Sequence, residues 1–402
     1  LAPPRDRPYL MVMPFRVMDA DPHTTYLGEG IAGDLIEALS RIPGLAVVGG
    51  DTVFDRSVRA AEPAQLTLPL MIRHRLEGEI KRSGETLSTQ ARLIDAASGN
   101  VIWDERFEQA TNGLLVLEEM LVDRVLKALA PQAKRRDPLS ATQLSPSAWK
   151  ALDLTLQARS LQRSAAAGAQ SEALALLEKA VALDPALPQP LTALYSRLAQ
   201  SIPPVDPRAG QDLAQRLLSL ASRAVAAAPS DLLARAIYAD SLTVSGQHGT
   251  AVAQIDATVG NSPASSEVLR IAARVMERSG EHEKAVTLMQ RALQSDPLMD
   301  PQALASPLAS SLYLLGRYRE AAEAAGRCLQ RDPRALVCLR WRAASLAQAG
   351  DTVDARSVIA TLKQQRPSAT IGSEVRPLQP THRNREDLRH LAEGLQKAGL
   401  SD

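Results

Sequence analysis

Four glycines, Gly246, Gly280, Gly316 and Gly350, stand 34, 36 and 34 residues apart. Ala251, Ala285, Ala321 and Ala355 each follow five residues later, and Pro263, Pro297, Pro333 and Pro367 close the intervals. Few folds satisfy such a period. Each unit is long enough for two helices: the glycine frees the backbone for the turn between them, and the alanine lets the pair approach. Proline stops the second helix, as at Asp296-Pro297 and Asp332-Pro333, and so begins the next pair. A ladder of helical pairs is expected over residues 232–369.

The Gly, Ala and Pro positions match the signature of the tetratricopeptide repeat in all four units, and the stretch resembles that family. The resemblance implies an all-α superhelix over 147–369, about six helical pairs long, whose first helices line a concave face that binds a protein or peptide. Counted from Ser266, Gln302 and Leu336, the inward positions hold Glu267, Arg270, Arg274, Glu277, Arg278, Ser306, Ser310, Tyr313, Arg340 and Gln348. Arg270, Arg274, Arg278, Tyr313 and Arg340 are the candidate partner-binding residues. A guanidinium fork suits carboxylates and a tyrosine gives a flat contact with little entropy to lose, so an extended, carboxylate-bearing peptide is expected. The competing expectation is that Glu267 and Glu277 neutralise these arginines within the unit. The family's carboxylate clamp needs Asn at the ninth position, which holds Asp240, Arg274, Ser310 and Ala344 here. That disfavours a chaperone-tail ligand.

Residues 149–162 and 171–183 read as an earlier helical pair, with Gly168, Ala173 and Ala180 in signature places. Pro185 to Pro229 is 44 residues, ten more than a unit, and an insertion at 201–210 accounts for the excess. Near the end, Leu388, Leu391, Leu395 and Leu400 form an apolar stripe expected to cap the open end of the stack.

The first part of the chain has a different texture. Aromatics are only 3 % of the sequence, yet half of the twelve lie before residue 108. Apolar runs at 9–15 and 45–48 read as strands, residues 25–41 and 113–129 as amphipathic helices, and 60–70 as a looser helix. Residues 75–82 and 85–95 form a hairpin turning at Ser83-Gly84, and 101–107 adds a third strand. The order is βαβαβββα, an α/β sandwich. Met13-Pro14-Phe15, Asp34-Leu35-Ile36, Leu39-Ser40-Arg41, Leu76-Glu77-Gly78, Leu93-Ile94-Asp95-Ala96, Gly99 and Trp103–Arg106 together resemble the TolB amino-terminal-domain-like family; residues 26–30 and 66–73 depart from it. In that family the domain precedes tetratricopeptide repeats in bacterial signalling proteins. The upstream effector there is a class III adenylate or guanylate cyclase or a winged-helix transcriptional regulator, and the ending at 393–400 is similar to the tails of such proteins. The expected organisation is a linker at 1–8, the α/β domain at 9–132, a linker at 133–146, the superhelix at 147–369 and a tail with a capping helix at 370–402.

Function classes narrow from here. With 46 basic against 45 acidic residues, the net charge of +1 gives no reason to expect nucleic acid. No apolar run reaches the roughly 18 residues of a membrane span. The start at Leu1 is expected to follow an upstream piece; a transmembrane helix there would place this region on the periplasmic side, and otherwise it is cytoplasmic or a free-standing envelope protein. Gly28-Glu29-Gly30-Ile31-Ala32-Gly33 has the letters of a dinucleotide fingerprint, but the mechanism needs that loop directly after a strand. Here it falls in a helical pattern, so close packing is expected. Glu77 and Glu79 share a strand face opposite Leu76, Gly78 and Ile80 and read as a solvated face. None of the six histidines has metal-ligand spacing, and His248 and His282 read as packing at repeat turns. No cofactor, metal or catalytic residue is expected. Cys328 and Cys338 are either two buried thiols or a disulfide, the latter requiring an oxidising compartment.

Overall fold

Four apolar residues, all buried, make β1 (Tyr9–Val12), the pattern of a strand covered on both faces. The computed structural model of the chain describes residues 9–18, 25–55, 58, 72–129, 143–164, 166–200, 207–260, 263–297 and 304–402. β1 runs parallel to β3 (Ala46–Val47) on one side and to β4 (Ile72–Ser83) on the other. β4 pairs antiparallel with β5 (Thr86–Asp95), which pairs with β6 (Val101–Ala110), giving the order β3-β1-β4-β5-β6. A short β2 (Arg16–Val17) also joins β4. Gly84 turns the hairpin at φ 62°, a conformation L side chains resist. Gly78 lies where a methyl group would overlap the Phe15 ring. α1 (Thr25–Ser40) and α3 (Leu114–Leu129) pack together, burying Leu27, Ile31, Leu35, Leu117, Leu121 and Val125 in one core. Between them in sequence comes α2 (Gly50–Phe54), a single turn. Neither β2 nor α2 is visible as periodicity, being too short to carry any; the helix expected at 60–70 lies outside the described residues.

The helical part begins at α4 (Pro146–Gln162), which Ser145 caps by accepting from the Ala148 N–H, with Pro146 at the first helical position. There follow α5 (Ala169–Leu183), α6 (Pro188–Ala199), α7 (Pro207–Ala227), α8 (Leu232–Val244), α9 (His248–Thr258), α10 (Ser266–Arg278) and α11 (His282–Ser295). A π-helical turn, Leu304–Ala309, runs into α12 (Ser310–Leu314), followed by α13 (Tyr318–Arg331), α14 (Leu336–Ala349) and α15 (Thr352–Gln365). Residues 201–206 of the insertion lie outside the described residues, and the remainder lengthens α7 to 21 residues. Gly246, Gly280, Gly316 and Gly350 all have φ between 75° and 96°, so each turn is closed in the left-handed region. Ala251, Ala285, Ala321 and Ala355 are completely buried, as the close helix approach requires.

The two parts share material. Ala151, Leu152 and Leu156 of α4 belong to the sheet-side core, whereas Ala158 of the same helix belongs to the helical core. Gly30 of α1 faces Leu156, and a methyl group there would lie 2.7 Å from its Cδ2. The Gly28–Gly33 run is thus a helical packing surface, with Gly28 against the Phe15 carbonyl. The tail forms α16 (Ile371–Val375), a turn at Arg376–Leu378, and α17 (Arg385–Lys397).

Candidate functional site

Of the arginines expected to bind a partner, Arg274, Arg278 and Arg340 are already engaged. Arg274 donates from Nε to Asp240 Oδ1 at 3.0 Å and from Nη2 to Oδ2 at 2.8 Å. Arg278 donates to the same carboxylate at 3.0 Å, and the Tyr195 hydroxyl at 2.7 Å. Asp240 is 1 % exposed. Burial alone would raise its pKa, but Arg274 and Arg278 outweigh that and hold it down to about 2. The network ties α6, α8 and α10 together. The hydrogen-bonded partner of Arg274 and Arg278 is Asp240, one repeat earlier, rather than Glu267 or Glu277 of their own unit. Arg270 is half-buried with no ion pair among the described residues.

Tyr313 and Arg340 are not open to an outside peptide either. Tyr313 is fully buried and donates to the His390 carbonyl of α17 at 2.7 Å. Its ring centroid lies 4.7 Å from His390, 5.4 Å from Tyr318 and 5.6 Å from Trp341. Arg340 donates to the Glu374 carbonyl at 2.9 Å and pairs with its carboxylate at 3.3 Å; burial lowers the Arg340 pKa. Arg366 holds the other oxygen of Glu374 at 2.8 Å.

Both contacts come from the tail, whose helix packs chiefly on α14 of the last unit and which also reaches α10 and α12. The Arg383 N–H donates to the Arg278 carbonyl at 2.9 Å, and His382 Nε2 lies 3.2 Å from Glu277 Oε1. Burial alone would raise the Glu277 pKa, but His382 and Arg278 bring it below the usual glutamate value. Asp387 Oδ2 lies 3.2 Å from His282 Nε2, and Lys397 donates to Gln348 at 2.7 Å. Leu388, Leu391 and Leu395 are buried. The stripe announces burial but not against what. His282 is therefore a tail contact as much as a turn residue, while His248 is buried with Nδ1 3.4 Å from Ser279 Oγ.

A second cluster joins the α/β part to the repeats. Asp296, the helix stop before Pro297, accepts from the Thr52 N–H at 2.7 Å, the Thr52 hydroxyl at 2.6 Å and the Ser266 hydroxyl at 2.9 Å. It caps α2 across the junction. Burial and then Asp51 push its pKa up to about 6. Gly49 donates to the Ser295 carbonyl at 2.7 Å, and a side chain at Gly49 would overlap Asp296. Further pairs are Arg41–Asp231 and Arg159–Asp34, each 2.8 Å, Arg163–Glu29 at 2.7 Å and Arg331–Asp55 at 3.1 Å. A cavity of about 1100 Å³ lies beside them, between Pro43–Val47 and α9 and α11. Glu77 pairs with Arg75 and Glu79 with Arg16 on their strand face.

Cys328 and Cys338 are joined in a disulfide with Cα atoms 6.3 Å apart. Among the described residues no group of three or more His, Cys, Asp or Glu is arranged to hold a metal. Among the same residues no helix is long and apolar enough to cross a membrane.

These features define a repeat superhelix docked on a small mixed sheet and packed against its own tail. Residues 239–300 and 307–370 match the tetratricopeptide-repeat family model, so this stretch of the helical part is built of tetratricopeptide repeats. The chain is 26 % identical over 186 residues to the "Putative adenylate cyclase 3" of Rhizobium meliloti (strain 1021), a match covering 45 % of this chain and 31 % of that protein. It thus spans about a third of that relative's length. Among solved structures, Pseudomonas aeruginosa pilF is similar at 18 % identity and a TM-score of 0.39, covering 56 % of this chain and 96 % of that one. TolB from Acinetobacter baumannii is similar at 15 % identity and a TM-score of 0.24, covering 32 % of this chain and 30 % of that one.

Proposed function

We propose that this chain is the non-catalytic sensing and protein-interaction region of a bacterial signalling protein. It binds a protein or peptide through the superhelix and passes the event to an effector lying upstream. One observation carries the reading: Asp296 of the repeats caps α2 of the α/β domain. A partner that alters the spacing of α10 and α11 moves Ser266 and Asp296, and with them the start of α2. The α/β domain is read as TolB-amino-terminal-like on the residues quoted above. A periplasmic setting is supported by the disulfide, since such bonds persist in oxidising compartments.

The second reading is the accessory half of a class III adenylate or guanylate cyclase. The name of the Rhizobium meliloti relative favours it, together with the unmatched remainder of that protein.

The test uses the full-length protein with whatever precedes Leu1. Its effector output is measured in the parent and in Asp296→Ala, with partner binding measured in parallel. Retained binding with lost response is the expected result. A signal peptide immediately before Leu1 and no effector domain would overturn the reading.

A further inference from the structure

We propose that β6 is the pairing edge between two copies of this chain, which join antiparallel, strand to strand, about a two-fold axis at Phe107. Such self-association is independent of the coupling through Asp296 and of any partner at the repeats.

β6 ends the sheet order, so among the described residues only one of its sides is occupied by a strand. The Thr111 N–H donates to the Glu85 carbonyl at 2.7 Å, and bonded and unbonded positions alternate along the ladder from there. Glu105, Phe107 and Gln109 therefore exchange their main-chain bonds with β5. Asp104, Arg106, Glu108 and Ala110 turn their N–H and C=O groups outward, away from the sheet. The side chains of these four are exposed on its open face, whereas Phe107 is buried in the core.

A long open edge is a template for another strand, and chains that avoid this place lysine, proline or an inward charge along it. Residues 101–110 contain no lysine and no proline. On the open face their charges alternate, with Arg106 between Asp104 and Glu108. Within one chain Arg106 donates to Glu108 at 2.9 Å, and the two side chains are 65 % and 62 % exposed.

The charges select the occupant and its register. Outward groups bond only to outward groups, so two copies of β6 meet even position to even position. An axis at Arg106 would set that arginine against itself, and an axis at Glu105 or Glu108 would do the same to a glutamate. An axis at Phe107 puts Arg106 opposite Glu108 twice, Asp104 opposite Ala110 and Glu105 opposite Gln109. No like charges then stand opposite each other. The strand is its own complement.

The same edge gathers apolar surface. Five large apolar side chains are exposed among the described residues, and Val101, Ile102 and Met120 are three of them. Val101 and Ile102 begin β6, and the Met120 sulfur accepts from the Gln109 amide at 3.5 Å. Pairing about Phe107 brings Val101 and Ile102 beside the turn at Thr111–Gly113 of the second copy.

Ala110 supplies an uncharged test. Its φ of −65° is the angle that proline imposes, and its outward N–H serves no bond to β5 in this register. Ala110→Pro therefore keeps the fold and takes a donor from the pairing edge. Strand pairing of this length lies at the weak end of specific interfaces, so sedimentation of the full chain is followed from about 1 µM to about 1 mM. The parent should pass from one copy per particle to two as concentration rises. Ala110→Pro, Arg106→Glu and Glu108→Arg should each weaken the pair at least ~tenfold while melting like the parent. An equal mixture of Arg106→Glu and Glu108→Arg should restore it, because every glutamate then faces an arginine. A parent that stays single throughout overturns the proposal. So does an Ala110→Pro chain that associates as the parent does, or a mixture no tighter than its separate components, since the edge or the axis is then elsewhere.

Discussion

Asp296 and Thr52 are 244 positions apart, yet the carboxylate of one takes both the backbone N–H and the hydroxyl of the other. A residue that ends a repeat helix thereby starts a helix in another domain. Asp296→Ala strands the buried N–H of Thr52 and should cost about 1–3 kcal/mol, read as a lower urea midpoint.

The same carboxyl sets a pH dependence. Its pKa in the folded chain is about 6, above the ordinary 3.8. Its contribution is therefore fully present below the unfolded value and is lost as pH rises through the folded one. Between about pH 7.5 and about pH 4 the parent should gain stability relative to Asp296→Asn, by on the order of 3 kcal/mol for a shift of this size. Parallel denaturation curves across that range test this; equal slopes for both proteins would show that the carboxyl titrates normally.

Arg274 and Arg270 sit one turn apart and should behave oppositely. Arg274→Ala leaves Asp240 buried with half its compensation and should cost about 3–5 kcal/mol. Arg270→Ala breaks no ion pair and should stay within about 0.5 kcal/mol of the parent. If the two single variants melt alike, the Asp240 network does not hold the repeats.

Ala285 is fully buried and Glu283 is exposed. Ala285→Leu should overpack α10 against α11 and cost about 1–3 kcal/mol. Glu283→Leu should change the melting temperature little. The reverse order would mean that the repeat register is wrong by part of a turn.

The disulfide closes a loop of sequence separation 10 between α13 and α14. Reduction should destabilise the chain by about 2–3 kcal/mol. Protein taken from its native compartment and unfolded without reductant should show no free thiol. Two titratable thiols would exclude the bond and remove its support for an oxidising compartment.

The repeats were legible because their signal is local and recurs. Gly280 marks a turn and Ala285 a close approach whatever surrounds them. The Asp240–Arg274 bond was legible in principle as well: both hold the ninth position of successive units, which stacking brings together. Reading each unit alone hid it and pointed to Glu267 and Glu277 instead. The tail was half legible. Leu388, Leu391 and Leu395 declare a buried face, but what it meets depends on Tyr313, Gly394 and Ala344, far apart in sequence. The Asp296 cap left no mark beyond paired glycines at Gly49 and Gly50. Nothing about an aspartate before a proline distinguishes a helix stop from a clamp on another domain.

Helix α4 lies beyond the stretch expected as the boundary between domains, yet its Leu152 and Leu156 complete the core beneath the sheet. The linker is therefore not the seam of the molecule. A recombination event that moved residues 9–132 onto a foreign repeat array would carry Gly30 without the leucine it packs against. An exchange that conserved this packing would have to take α4 and α5 along, so the packing unit is the sheet together with the first rung of the ladder.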